Sequence, residues 1–378
     1  MKIAFFSKYL THHQTPFCRE LQKIDGVEFT YVAFLPLREE RLALGYEDMN
    51  QYPYVLRAYE NDEQYKKAEK LCAECDILIF GNAPEQFLLE RAKTGKSVFV
   101  FSERLFKQGI IHAFSPRVIK KMLRTHSNFK DKPAFLLSAS AFAASDFAKF
   151  GAYKNKAYKW GYFPEVKRYS DINDILDKKI PASILWVGRM IDWKHPEFAV
   201  KVAQKLKSDG YKFTLDMLGT GDMEEKIRAD IEKKILGDCV KYHGAVPPER
   251  VREYMEKSEI FLFTSDRNEG WGAVLNESMN SGCAVVASNA IGSVPYMVKD
   301  GENGLTYTSG NVNDLCKKVK LLLDNPETTE KMALAAYETC VEQWCPENAA
   351  KRFYSLSKAV LQGDNIPKPF DDGVCSKA

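Results

Sequence analysis

Two short stretches of the 378-residue sequence carry residue types that could hold an anionic ligand. The first is Glu269-Gly270-Trp271-Gly272-Ala273-Val274-Leu275-Asn276-Glu277, which follows the apolar run Ile260–Thr264 and a short polar loop. The pattern predicts a helix that opens at the glycines and runs to about Ser281. Two glycines let a backbone approach a ligand closely, and a new helix offers unbonded N–H groups to an anion. At ~1.5 Å rise per residue, Glu269 and Glu277 stand roughly 10 Å apart. That is too far for one carboxylate pair, but it suits opposite ends of a long ligand with hydroxyls at both ends and phosphates between. An ordinary tight turn with a solvated Glu269 and a helix-face Glu277 fits the same residues equally well. The second stretch, Gly188-Arg189-Met190-Ile191-Asp192-Trp193-Lys194-His195, follows the apolar run Ser183–Val187. Arg189 and Lys194 in one strand-end loop beside a glycine suit a pyrophosphate. The competing reading is two solvated surface cations, the usual fate of Arg and Lys.

The elements that would position these loops form an alternation. Apolar runs of four to eight residues alternate with amphipathic stretches of ten or more, which predicts an α/β fold with parallel sheets and crossover helices. Strands are expected near Lys2–Ser7, Val27–Phe34, Asp76–Phe80, Ser97–Phe101 and Ala134–Leu137 in the first half. A lapse over Trp160–Asp177 reads as a linker. In the second half strands are expected at Ser183–Val187, Phe213–Leu218, Cys239–His243, Ile260–Thr264, Ala284–Ala287 and Gly304–Tyr307. Ligands of open parallel sheets sit at the carboxyl ends of the strands, so the loops after the strands are where chemistry is expected.

Length and composition agree. At 378 residues two domains are the default, and 45% hydrophobic with 28% charged residues is ordinary for a soluble protein. A net charge of +3 gives no case for nucleic acid. Nine scattered cysteines read as reduced thiols in the cytosol. Cys72 and Cys75 form a Cys-x-x-Cys pair that closes a helix, without the two further ligands a zinc site needs. The amino terminus reads as a buried first strand rather than a signal peptide, and no run approaches the ~20 apolar residues of a membrane span. Gly219-Thr220-Gly221 begins like a dinucleotide fingerprint, but Glu224 stands where a third glycine would.

The loop with Arg189 and Lys194 and the loop with Glu269 and Glu277, taken together, resemble the retaining GT-B glycosyltransferases of family 4, also called group 1 glycosyltransferases. Ser278–Ser288, Gly292–Val298 and Asp300–Gly304 look like the family too, so the resemblance is strong from about Ile184 to Tyr307 and weak in the first half. It implies a GT-B fold, two Rossmann-like domains facing across a cleft. Residues 1–165 would form the acceptor domain and 166–345 the nucleotide-sugar donor domain, with 346–378 crossing back to the first as a helix and tail. It also implies a metal-independent hexosyltransferase without cofactor, and the sequence holds no Asp-x-Asp. By resemblance Arg189 and Lys194 would neutralise the leaving diphosphate, Glu277 would bond the ribose, and Glu269 would contact the transferred sugar. Gly188, Gly219 and the Gly270-Trp271-Gly272 backbone would line the donor site. The donor would be a UDP-sugar, or next a GDP-sugar. The acceptor would be a glycan or lipid-linked glycan of cell-surface polysaccharide synthesis, with transfer retaining the anomeric configuration. A dinucleotide-dependent oxidoreductase and an inactive sugar-nucleotide binder are the alternatives.

The first half departs from the family. His12 and His13 stand after the first strand where members carry a glycine-rich loop, and Glu103 stands after Ser97–Phe101 where many carry a histidine. These three and His112 are the candidates for the acceptor or sugar side; histidines capping a helix are as plausible a reading of the first two. Residues 115–133 hold Arg117, Lys120, Lys121, Arg124, Lys130 and Lys132 against Asp131, over an apolar stripe at helical spacing. A basic amphipathic helix can lie on an anionic membrane, and a solvated face over a core stripe has the same pattern. The expected location is the cytoplasm, at the inner face of the membrane if that contact is made.

Overall fold

The structure is a computed structural model, and it describes residues 1–39, 47–107, 109, 115–129 and 131–378. The chain separates into two units, residues 1–165 with 345–378 and residues 166–344.

The first unit is built on a parallel seven-stranded sheet of order β3-β2-β1-β4-β5-β6-β7. Its strands are β1 (Lys2–Ser7), β2 (Glu28–Ala33), β3 (Val55–Arg57), β4 (Ile77–Phe80), β5 (Ser97–Ser102), β6 (Ala134–Ser138) and β7 (Ala157–Lys159). Central strands such as β4 are buried at every residue, because helices cover both faces of a parallel sheet. The helix Pro346–Leu361 packs into this unit. Its Phe353 is fully buried, with ring centroids 5.2 Å from Phe99, 5.6 Å from Trp160 and 6.0 Å from Phe17. Beyond it, Cys375 and Ser376 exchange backbone hydrogen bonds with Lys159, so the tail covers the outer edge of β7.

The second unit carries a parallel six-stranded sheet of order β10-β9-β8-β11-β12-β13. Its strands are β8 (Ile180–Val187), β9 (Thr214–Leu218), β10 (Val240–Gly244), β11 (Ser258–Phe263), β12 (Ala284–Ser288) and β13 (Leu305–Tyr307). This is the doubly wound order, and its direction reverses between β8 and β11. Those neighbours pair in parallel through Ile260 with Ile184 and Phe261 with Leu185. The two loops singled out in the sequence leave the carboxyl ends of these two strands.

Cys72 and Cys75 are buried free thiols, with burial pushing Cys72 up to about 12 and raising Cys75 as well. Their turn is organised by Arg91, fully buried, whose guanidinium donates to the carbonyls of Cys72, Cys75, Asp76 and Ser97. Among the described residues no group of three or more His, Cys, Asp or Glu could hold a metal ion, and no helix is long and apolar enough to cross a membrane.

Candidate functional site

The loop after β8 turns sharply back toward the sheet. Gly188 N–H donates to Leu218 O at 3.0 Å and Met190 N–H to Thr220 O at 2.8 Å, which fastens its start to the end of β9. Gly219 and Gly221 are glycines for this reason. A Cβ on Gly219 would lie 1.9 Å from the Gly188 carbonyl oxygen, and one on Gly221 would lie 2.6 Å from that of Met190. The Gly-x-Gly turn thus packs backbone on backbone, and its missing third glycine needs no other account.

The loop ends in the one-turn helix Asp192–Lys194, and His195 then takes a left-handed conformation at φ +49° before the helix Pro196–Ser208. This aims Lys194 across the switch point. Its Nζ donates to Glu269 Oε2 at 2.7 Å, with side-chain exposures of 14% and 11%. Ser265 Oγ donates to the same oxygen at 3.0 Å. The backbone is pinned alongside. Trp186 Nε1 donates to Thr264 Oγ1 at 2.8 Å, and Thr264 Oγ1 donates to Lys194 O at 2.7 Å. Asp266 N–H donates to Trp193 O at 2.9 Å. Arg189 is exposed, its Cζ 5.7 Å from the centre of the Trp193 ring, with no carboxylate at ion-pair distance among the described residues.

Past Glu269 the chain runs through Gly270, Trp271 and Gly272 into the helix Val274–Asn280. Gly272 sits at φ +82°, and a Cβ there would meet the Phe263 ring at 2.3 Å. The Trp271 side chain is in the core, its centroid 5.5 Å from Trp344, with Nε1 donating to Asn276 Oδ1 at 2.9 Å. Only its backbone is therefore free to serve a ligand. Glu277 is half-buried on the helix, and burial pushes its carboxyl up to about 7 against the pull of Arg252 and Lys194. A carboxyl poised there can accept or donate a hydrogen bond near neutrality.

The structure thus joins Arg189, Lys194, Glu269 and Glu277 within one neighbourhood of the second unit. Residues the sequence did not single out complete it: Thr264 and Ser265 at the end of β11, Asp266, His195, and Arg252 from the helix Pro248–Lys257. The small polar Thr264-Ser265-Asp266 run directly after an apolar strand was the available signal.

In the first unit, His12 and His13 lie together, ring centroids 3.8 Å apart, after β1. Tyr162, unnoticed in the sequence, connects them to Glu103 after β5. Its ring is 5.9 Å from His13 and 5.5 Å from Phe101, and its hydroxyl bonds Glu103. Burial and the Glu103 charge raise the Tyr162 pKa well above its ordinary value. Glu103 also pairs with Lys107. His112 lies outside the described residues.

Residues 170–339 match the family model of glycosyl transferases group 1. The match covers most of the second unit and the whole of the neighbourhood around Lys194 and Glu269. The amylovoran biosynthesis glycosyltransferase AmsK of Erwinia amylovora is 29% identical over 41% of this chain and 39% of its own length. The chain spans 39–47% of the length of the curated relatives of this kind. The two-unit architecture is the GT-B fold. HepE of Anabaena, solved with UDP, superposes with a TM-score of 0.69 at 14% identity, covering 95% of this chain and 100% of that one. TarM superposes with a TM-score of 0.67 at 13% identity, over 94% and 98%.

Proposed function

We propose that the protein is a glycosyltransferase that takes a hexose-type sugar from a nucleoside diphosphate and transfers it to a hydroxyl of a glycan or lipid-linked glycan, with retention, in polysaccharide synthesis. The contact of Lys194 with Glu269 at 2.7 Å, where the strand order reverses, carries this reading. It puts a cation for phosphate beside a carboxylate for sugar hydroxyls, with Arg189 open alongside. A UDP donor is favoured because HepE was solved with UDP and the resemblance points the same way; GDP is next. The polysaccharide context follows the name of the amylovoran relative.

In the proposed reaction the bond from the anomeric carbon to the diphosphate oxygen breaks as the acceptor hydroxyl oxygen bonds that carbon on the same face. The hydroxyl proton passes to the leaving phosphate oxygen. Negative charge grows on the diphosphate, where preorganised cations stabilise most. Arg189 and Lys194 supply them, Glu269 orients the sugar, and Glu277 holds the ribose diol. Gly188, Gly219 and the Gly270–Gly272 backbone flank the donor. His12, His13 and Glu103, joined by Tyr162, serve the acceptor side. The reaction uses no metal and no cofactor. The basic helix Pro116–Thr125, with Lys120, Lys121 and Leu123 exposed, rests on an anionic membrane.

The test is nucleotide release and product analysis with UDP- and GDP-hexoses and lipid-linked glycans. Transfer with an axial or equatorial bond unchanged from the donor supports the reading. Donor binding without any transfer would make the chain a sugar-nucleotide binder instead, and absence of both would sink the proposal.

A further inference from the structure

His195 stands between two carboxylates that belong to different elements. Its Nδ1 lies 3.0 Å from Glu197 Oε1, at the start of the helix Pro196–Ser208, and its Nε2 lies 3.3 Å from Asp266 Oδ2, in the loop after β11. The ring is held flat on Phe198, centroids 4.6 Å apart and planes within 10°. Its backbone φ of +49° is a left-handed conformation that carries a steric cost for a non-glycine residue. A glycine would avoid that cost and lose the side chain.

Asp266 is committed to this contact. Its other oxygen, Oδ1, accepts from the N–H and Nδ2 of Asn268, at 2.7 and 2.9 Å. The imidazole is therefore a further side-chain link between the loop that carries Lys194 and the loop that carries Glu269, beside the Lys194–Glu269 pair and the Thr264 hydroxyl on Lys194 O. It adds to the backbone link from Asp266 N–H to Trp193 O.

We propose that His195 is a positioning residue: as a doubly protonated imidazolium it ties the loop after β8 to the loop after β11, so that Lys194 and Glu269 are held in register for the donor, and loss of one proton releases the tie. The inference rests, for its functional consequence, on the donor reading of those two residues.

The chemistry of the ring sets which bond is lost. An imidazolium donates from both nitrogens, whereas a neutral imidazole donates from one and presents a lone pair at the other. Between two carboxylates, a neutral ring satisfies one and faces the other with a lone pair. The shorter contact, to Glu197, is kept and the contact across the loops to Asp266 is given up. The groups that face this cluster are Glu197 and Lys201 on the helix, Asp266 after β11 and Tyr307 on β13. The Glu197 hydrogen bond raises the imidazole pKa above its ordinary 6.5, with Asp266 adding and burial opposing. The tie is therefore complete at and below that ordinary value and is lost as pH rises through the raised one.

The test combines an imidazole NMR titration of the full chain with UDP and GDP binding by calorimetry between about pH 6 and 9. Two variants are compared with the unaltered protein, His195→Asn, since Asn tolerates the left-handed backbone, and Asp266→Asn. The His195 resonance is expected to titrate above 6.5, with the backbone amides of Lys194 and Asp266 moving at the same midpoint. Nucleotide affinity is expected to weaken roughly tenfold over that titration, the size of one charge-assisted hydrogen bond. Both variants are expected to bind weakly and without that alkaline limb, whereas a purely structural role would shift affinity equally at every pH. A His195 midpoint at or below 6.5, amides that ignore it, or variants with the unaltered alkaline limb would overturn the proposal. If neither UDP nor GDP binds at any pH, the donor reading fails, and the tie is judged by the imidazole and amide titrations alone.

Discussion

Lys194 and Glu269, 75 residues apart in the chain, meet at 2.7 Å between Nζ and Oε2 with Ser265 Oγ on the same carboxylate oxygen. Neither side chain is more than 14% exposed. A pair so shielded is not a surface ion pair of negligible worth. Lys194→Ala leaves the Glu269 carboxylate one donor short, and we expect a stability loss of about 1–3 kcal/mol with turnover reduced on the order of a hundredfold or more. Urea melts and nucleotide release on Lys194→Ala, Glu269→Gln and the double variant form a cycle. A double variant equal to the sum of the singles would show no coupling and contradict the role given to the contact.

Glu277 sets a pH dependence of the ligand-free protein. Its folded pKa, pushed up to about 7, exceeds the ordinary carboxyl value of 4.5. The folded state thus favours the protonated form. Its contribution to stability is full below pH 4.5 and is lost as pH rises through about 7. Glu277→Gln removes the penalty, so its stability relative to the unaltered chain should rise across that window by about 1–3 kcal/mol and level off above it. Melts at pH 4.5, 6 and 8 check this; a difference constant with pH would show that Glu277 titrates normally.

The glycines divide into two groups. Gly219, at φ +123°, would place a Cβ 1.9 Å from the Gly188 carbonyl oxygen, whereas Gly310, at φ +80°, has nothing within 4 Å. Gly219→Ala combines strain with a backbone clash and should cost more than about 3 kcal/mol, against about 1–2 kcal/mol for Gly310→Ala. Equal losses in denaturant melts would mean that the packing of the β8 and β9 loops yields easily.

The basic helix Pro116–Thr125 leaves Leu123 50% exposed beside Lys120 and Lys121. Each basic residue near an anionic bilayer is worth about 1 kcal/mol. Lys120→Glu combined with Lys121→Glu should therefore weaken co-sedimentation with phosphatidylglycerol vesicles at least about tenfold, with melting unchanged. Equal partition of both proteins would remove the membrane from the account.

The strands were legible where both faces are buried, because such strands are continuous apolar runs; β1 was read at its full length, Lys2–Ser7. The three-residue strands Val55–Arg57 and Ala157–Lys159, at the two edges of the first sheet, were missed because they are short and lack a run of that kind. Trp160 and Phe163, read as part of a linker, are 2% exposed and pack with Phe17 and Phe353 in the first unit. Their partners come from distant parts of the chain, which local periodicity cannot reveal. At the site, Arg189, Lys194, Glu269 and Glu277 stood out by type and spacing. The crosslinks through Thr264, Asp266 and His195 did not, since a hydrogen bond between two loops leaves no mark within either one. Gly219 drew notice as a fingerprint glycine, yet its requirement is the backbone of Gly188.

The central claim is that Lys194 and Arg189 hold the diphosphate of a sugar nucleotide, and a thermal-shift screen of UDP- and GDP-hexoses tests it most directly. A ligand at a hundredfold excess over its dissociation constant adds roughly 2.7 kcal/mol of stability. We expect at least one sugar nucleotide to raise the melting temperature of the unaltered protein clearly, and the Arg189→Ala, Lys194→Ala double variant to lose most of that shift while keeping a cooperative melt. No shift with any sugar nucleotide at millimolar concentration, or a shift with NADH instead, would contradict the account.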